Sequence, residues 1–320
     1  MPLSGDRDDR AVTGVADWPE PGFRGGRGEP VSAVSPVFGE VAVPGGALRV
    51  ARFGTGPRVV VAVHGITASL MSWGAVARRL PAGWSLVAMD LRGRGHSADL
   101  PGPYGLPRHA EDVNLVADSL GAARDIVLTG HSMGAYVAAL AAAGRDYAKV
   151  VLVDGGLPLP QAPGADLDAV LAATLGPALT RLERTFPSVE AYVDLFRAHP
   201  AFAGAWGPEV EEYVRYDATG PEGAVRSRVR AEPVRRDGRW LLTEGEAIGD
   251  ALRAARSPLS LLRAPRGLLD QPVGMLPEEV AAAWAGRLPG LRDEVVDDCN
   301  HYTILFDDRC ASLVADRLTG

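Results

Sequence analysis

The chain has 320 residues, with 33 basic against 40 acidic side chains and a net charge of −7. That balance supplies no basic surface for nucleic acid or an anionic membrane, and no stretch approaches the ~20 apolar residues of a membrane span. At 47% hydrophobic residues it can bury a sizeable core, as one α/β domain with an insertion or as two ordinary domains. Cys299 and Cys310 have neither CxxC spacing nor a neighbouring histidine ladder. The reading is a reduced, cytoplasmic protein with two incidental thiols, for which no metal or cofactor is expected.

The first ten residues lack an apolar secretory core, and glycine, proline and charge continue to about residue 35, so 1–35 is expected to be a flexible tail. Residues 38–43 and 48–53 flank Pro44-Gly45-Gly46, a hairpin signal. The β-branched run 58–63 suits a strand buried on both faces, and 85–90, 125–129 and 149–153 repeat the pattern. Helical patterns lie between them at 71–80, 106–120 and 133–143. The alternation predicts a mainly parallel, doubly wound sheet. It breaks after Asp154-Gly155-Gly156, where 157–256 carry helical segments at 167–175, 188–198 and 208–217. A strand at 258–262, a helix at 277–284, a strand at 294–296 and a helix at 307–318 complete the pattern. The expected organisation is a core of 36–156 and 257–320 with a helical cap, 157–256, over the strand ends.

Gly130-His131-Ser132-Met133-Gly134 sits between the 125–129 strand and the helix that follows it, the setting of a nucleophile elbow. A serine hydroxyl is a weak nucleophile and needs a base, with an acid to orient that base. Of six histidines, His301 follows the last strand and is the expected general base. His64, His96 and His131 read as structural, while His109 and His199 carry no positional signal. Asp270, after the resumed strand, is the expected acid, with Asp154 as its rival; Asp297 and Asp298 are too near His301 in sequence. Acyl transfer also needs donors for a developing oxyanion. The N–H of Met133, at the helix start, and that of Ile66, in the loop after the 58–63 strand, are the expected pair, with Thr67 second to Ile66.

Taken together, these segments resemble the α/β-hydrolase-fold serine hydrolases of the esterase, lactonase and carbon–carbon-bond hydrolase group. The matching residues are His64-Gly65, Asp90-Leu91-Arg92-Gly93-Arg94-Gly95-His96-Ser97, Gly130–Gly134, Gly267-x-x-Asp270-x-Pro272 and Asn300-His301, across about 38–318. The resemblance implies the Ser…Asp…His order, a cap insertion, and structural roles for Asp90, Arg92 and Ser97. Ser132 stands where the family's haloalkane dehalogenases and epoxide hydrolases place an aspartate, and Thr67 stands where those enzymes tend to carry a proline. Gly65-Ile66-Thr67-Ala68 does not match the longer loop of the proline iminopeptidases. What remains is acyl chemistry on an ester, lactone or thioester, or hydrolysis of a carbon–carbon bond. An acyltransferase, a cyclase or a non-catalytic ligand-binding member stays open.

The 157–256 stretch holds Phe186, Tyr192, Phe196, Phe202, Trp206, Tyr213, Tyr216 and Trp240. They form either an aromatic-lined pocket for the expected partner, an apolar or aromatic small-molecule substrate, or the insertion's own small core. Arg226, Arg228, Arg230, Arg235, Arg236 and Arg239 read as a solvated face rather than a carboxylate site.

Overall fold

The computed structural model describes residues 35–121, 125–160, 164 and 166–320. The tail expected over 1–35 lies outside the described residues apart from Ser35. The hairpin is formed by antiparallel β1 (Val37–Val43) and β2 (Gly46–Phe53). After β3 (Arg58–Val63) comes only a 3-10 turn and the four-residue α1 (Gly74–Ala77), shorter than the helix expected over 71–80. The alternation then proceeds through β4 (Trp84–Met89), α2 (Leu106–Ser119), β5 (Val127–His131), α3 (Met133–Gly144) and β6 (Lys149–Val153).

Between β6 and the next strand of the large sheet lie α4 (Leu167–Leu182), α5 (Val189–Arg197) and α6 (Pro208–Asp217). The short strands β7 (Ala218–Thr219) and β8 (Arg226–Ser227) follow, then α7 (Ala231–Thr243) and α8 (Gly245–Ala254). The chain returns through β9 (Leu259–Arg263), α9 (Glu278–Ala285), β10 (Arg292–Val295), α10 (Thr303–Phe306) and α11 (Asp308–Thr319). Two helices, α7 and α8, and the β7–β8 hairpin were not anticipated in the insertion. α8 packs against α3 on the sheet, placing Ile248 and Leu252 in the same apolar cluster as Val137 and Ala138.

The large sheet has the order β1-β2-β4-β3-β5-β6-β9-β10, parallel from β4 through β10. Its strands are apolar on both faces for a geometrical reason: successive side chains point to opposite sides. Val59, Val61 and Val63 of β3 enter one core cluster, with α2 and α3, while Val60 and Ala62 enter the other, with α1, α10 and α11. From β3 the chain first steps outward to β4 and then crosses to β5 on the other side. In open α/β sheets a crevice opens at such a reversal, beyond the carboxyl ends of the two strands. Those ends carry His64-Gly65 and Ser132. Among the described residues no helix is long and apolar enough to cross a membrane.

Candidate active site

Ser132 joins β5 to α3 at φ 54° and ψ −125°, a backbone region that costs a non-glycine residue about 1–3 kcal/mol. The flanking glycines are required by space. A Cβ on Gly130 would lie 2.0 Å from the Gly134 oxygen, and one on Gly134 would lie 2.2 Å from the Val63 oxygen. The strained turn is pinned by hydrogen bonds from Ser132 N to Val153 O (2.9 Å) and from Ala135 N to Ser132 O (2.9 Å). Ser132 lines a cavity of about 680 Å³, within the size range of small-molecule sites, together with Ile66, Met133, Asp154 and His301.

The imidazole of His301 is buried, and its Nδ1 lies 2.6 Å from Asp154 Oδ2. Asp154 ends β6 at φ 46°, and its other oxygen accepts from the backbone N–H of Ala264 at 3.1 Å. Asp154 therefore takes the position expected of Asp270. The carboxylate of Asp270 is exposed and accepts from Arg266 Nε (2.6 Å) and Asn300 Nδ2 (2.9 Å). Those two bonds hold its pKa below the usual carboxylate value. The cause is strand adjacency: β6 lies directly beside β5, whereas β9 is one strand further out. The loop after β9 supplies a backbone donor to Asp154 instead of the acid itself.

The expected oxyanion donors are oriented through their own peptide planes. The carbonyl of Gly65 accepts from Ala68 N (3.2 Å) and lies 2.7 Å from His64 Nδ1. In a trans peptide the N–H points opposite the C=O, so the Ile66 N–H is turned away from both. The carbonyl of Ser132 is likewise held by Ala135, which orients the N–H of Met133. No protein acceptor meets either N–H among the described residues.

The neighbouring histidines have different tasks. His64 Nε2 accepts from Leu91 N at 3.0 Å, so its Nδ1 carries the proton given to Gly65. Burial, with the Arg94 guanidinium nearby, pushes its pKa down to about 3 despite the Gly65 bond, and it stays neutral. His131 Nε2 lies 2.8 Å from the backbone oxygen of His301. Burial, then the adjacent His301, lowers its pKa well below the ordinary value. Both therefore brace the backbone of the site.

A third element joins this loop to the insertion. Fully buried Arg94 donates from Nε to Ile66 O (3.0 Å) and pairs through Nη1 with Asp237 of α7 at 2.6 Å. Asp237 also lies 2.9 Å from Nε2 of buried His109 on α2. Burial alone would raise the Asp237 carboxyl, but Arg94 and His109 outweigh it and bring it down to about 2. Sequence reading assigned no role to Asp237 or His109. Only the charged Asp90–Ser97 turn hinted at this cluster. In that turn Asp90 accepts from Leu70 N and His96 N, Arg92 pairs with buried Asp112, and Ser97 Oγ accepts from Arg49 N.

Of the eight insertion aromatics only Phe196 and Tyr213 line the cavity. Phe186, Tyr192, Phe196, Phe202 and Tyr213 are all buried in one apolar cluster that is continuous with Val60 and Ala62 of the sheet and with Phe306 of α10, so most serve packing between the insertion and the core. Arg235, Arg236 and Arg239 pair with exposed Glu183, Glu232 and Asp168, the solvated face expected.

A family model described as "Alpha/beta hydrolase family" matches residues 60–316. The N-formylmaleamate deformylase of Pseudomonas putida is 39% identical over 106 residues, 32% of this chain and 39% of that protein. Lipase LipV of Mycobacterium tuberculosis is 33% identical over 143 residues, 43% of this chain and 54% of that protein. The chain thus spans about half or less of the length of these curated relatives. The crystal structure of E-2-(acetamidomethylene)succinate hydrolase superposes with a TM-score of 0.72 at 20% identity, covering 89% of this chain and 99% of that chain, a likeness of fold.

Proposed function

Because the chain belongs to the alpha/beta hydrolase family, we propose that it is a serine hydrolase that cleaves a small carboxylic ester, lactone or thioester through an acyl-enzyme. The observation that carries this reading is the bond from His301 Nδ1 to Asp154, with His301 and the strained Ser132 lining one cavity. Asp154 keeps the Nδ1 proton in place, which leaves His301 Nε2 free to act as base.

Ser132 Oγ attacks the substrate carbonyl and passes its proton to His301 Nε2. The negative charge that gathers on the carbonyl oxygen meets the N–H groups of Ile66 and Met133, already turned outward before substrate arrives. Such preorganised donors stabilise an oxyanion without reorganising during the reaction. Collapse expels the leaving group, which takes the proton back from His301. Water activated by the same imidazole then releases the acid and restores Ser132. Of the 157–256 stretch expected as the cap, residues 167–243 take that role in this reading, because α8 packs on α3 instead. Within it α4 forms the roof: many of its side chains line the cavity, and none is fully buried.

The test is a panel of activated aryl esters, lactones, thioesters and a vinylogous diketone, read beside fluorophosphonate labelling. Wild type should label at Ser132, and Ser132→Ala should lose labelling and at least about 10³-fold in kcat with an unchanged circular dichroism spectrum. Full turnover by Ser132→Ala would overturn the assignment. Turnover of the diketone alone would move the chemistry to carbon–carbon bonds.

A further inference from the structure

The cavity above Ser132 is mostly apolar, and its charged lining is sparse. Asp154 is committed to His301, and the remaining charged side chains are Arg181, in the last turn of α4, and Arg184, just beyond it. Arg181 differs from the arginines of the solvated face because its side chain is only 11% exposed. Its guanidinium carbon lies 5.0 Å from the centroid of the Phe196 ring. Nη1 donates to the hydroxyl of Tyr192 and to Asp217 Oδ2 (3.2 Å). Among the described residues no acceptor meets its Nε or Nη2.

Asp217 does not depend on this arginine for its hydrogen bonds. It also accepts from the Tyr192 hydroxyl, from Ser227 Oγ at 2.6 Å and from the Arg228 N–H at 3.2 Å. Arg184 forms no ion pair among the described residues and stacks on Phe186 at 5.1 Å. Two guanidinium groups near the C-terminus of α4 therefore line the cavity, and the one carboxylate bonded to Arg181, that of Asp217, does not line it. His199, Tyr213 and Tyr302 line the same end. A guanidinium with unfilled donors in an apolar enclosure suits a planar carboxylate, which it can bind with two parallel hydrogen bonds.

We infer that Arg181, supported by Arg184, forms a carboxylate subsite, so the preferred substrate is an acid whose scissile acyl group lies at Ser132 and whose free carboxylate sits beneath α4. This rests on the serine-hydrolase reading for its chemistry, although carboxylate binding by Arg181 can be measured without turnover. The competing role for Arg181 is to hold the insertion together through Asp217 and Tyr192. The two roles differ in which substrate a substitution affects.

The probes are the 4-nitrophenyl monoester of glutaric acid and 4-nitrophenyl pentanoate, of similar length and differing in the terminal carboxylate. Wild type should favour the glutarate ester at least about tenfold in kcat/KM, and Arg181→Met should lose about 100-fold on it, mainly through KM. The same variant should stay within about threefold of wild type on the pentanoate ester, and Arg181→Lys should recover part of the loss. Equal loss on both esters, or no wild-type preference, would overturn the subsite. If Arg181→Met does not fold, competitive inhibition of wild-type pentanoate hydrolysis by free glutarate decides the matter, and its absence would count against the proposal. Calorimetric titration of Ser132→Ala with glutarate separates the two readings. Binding there with no turnover of any ester, lactone, thioester or diketone by wild type would retain the subsite and sink the serine-hydrolase reading, whereas activity without glutarate binding would do the reverse.

Discussion

Asp154 and Asp270 both occupy left-handed backbone, at φ 46° and 62°, yet only Asp154 is withdrawn from water and bonded to an imidazole. The consequence is measurable. Asp154→Asn would favour the wrong His301 tautomer and should lower kcat by about 10⁴-fold while leaving KM within about threefold. Asp270→Asn should keep kcat within about threefold of wild type, since its partners are Arg266 and Asn300. A large loss in the second variant with little in the first would reverse the assignment. At this scale Ser132 and His301 were legible because each closes a strand-to-loop transition with a distinctive neighbour pattern. The acid was ambiguous because Val153-Asp154-Gly155-Gly156 and the Asp270 loop both place an aspartate after a strand. Only the order of strands in the sheet, a non-local property, tells them apart.

Of the elements that the sequence concealed, α7 bears most directly on the site. Its two faces are unlike, with Arg235, Arg236 and Arg239 outside and buried Val234, Asp237 and Gly238 inside. Gly238 lets the helix sit close against α4, since an added Cβ would lie 2.7 Å from Leu171 Cδ1 and 2.9 Å from Leu175 Cδ1. An aspartate and a glycine on the buried face interrupt the apolar periodicity by which a helix is recognised, so no helix was expected there. The same aspartate ties α7 to Arg94, and through Arg94 to the carbonyl of Ile66. Asp237→Asn leaves the buried guanidinium without its counter-charge and should cost about 3–5 kcal/mol in a urea titration. A change below about 1 kcal/mol would show that Arg94 finds compensation elsewhere. By contrast β3, β5 and β6 were readable directly, because strands buried on both faces admit little but β-branched and other apolar side chains.

For the whole molecule, buried neutral imidazoles set the response to acid. The native pKa of His64 is about 3 and that of His131 lies well below the ordinary 6.5. Between those values the unfolded chain binds more protons than the native one, so stability rises with pH and is lost as pH falls below about 6.5. Each imidazole contributes a slope of about 1.4 kcal/mol per pH unit. Asp90 acts with the opposite sign: burial, against hydrogen bonds from Leu70, Tyr216 and His96, raises its native pKa to about 6, so stability falls as pH rises through the interval up to that value. The depressed Asp237 adds its loss only as pH falls below the ordinary carboxylate value towards about 2. The net expectation is a loss of stability as pH falls from 6 towards 4, with His64 and His131, joined by the lowered His96 and His199, outweighing Asp90. Urea midpoints at three pH values check it. A flat profile would mean that these histidines are protonated in the native state. The strand that delivers the acid is also the one from which the insertion departs. Gly155 is pressed against the elbow, its absent Cβ only 2.3 Å from the Ser132 oxygen, and Leu157 is fully buried. The root of the insertion is thus clamped, and any opening of the roof must pivot further along the chain. The His301–Asp154 pair is anchored apart from the roof, whereas the Ile66 loop is not. A foreign roof grafted beyond Leu157 would bring its own selectivity but would have to supply a new counter-charge for Arg94 in place of Asp237.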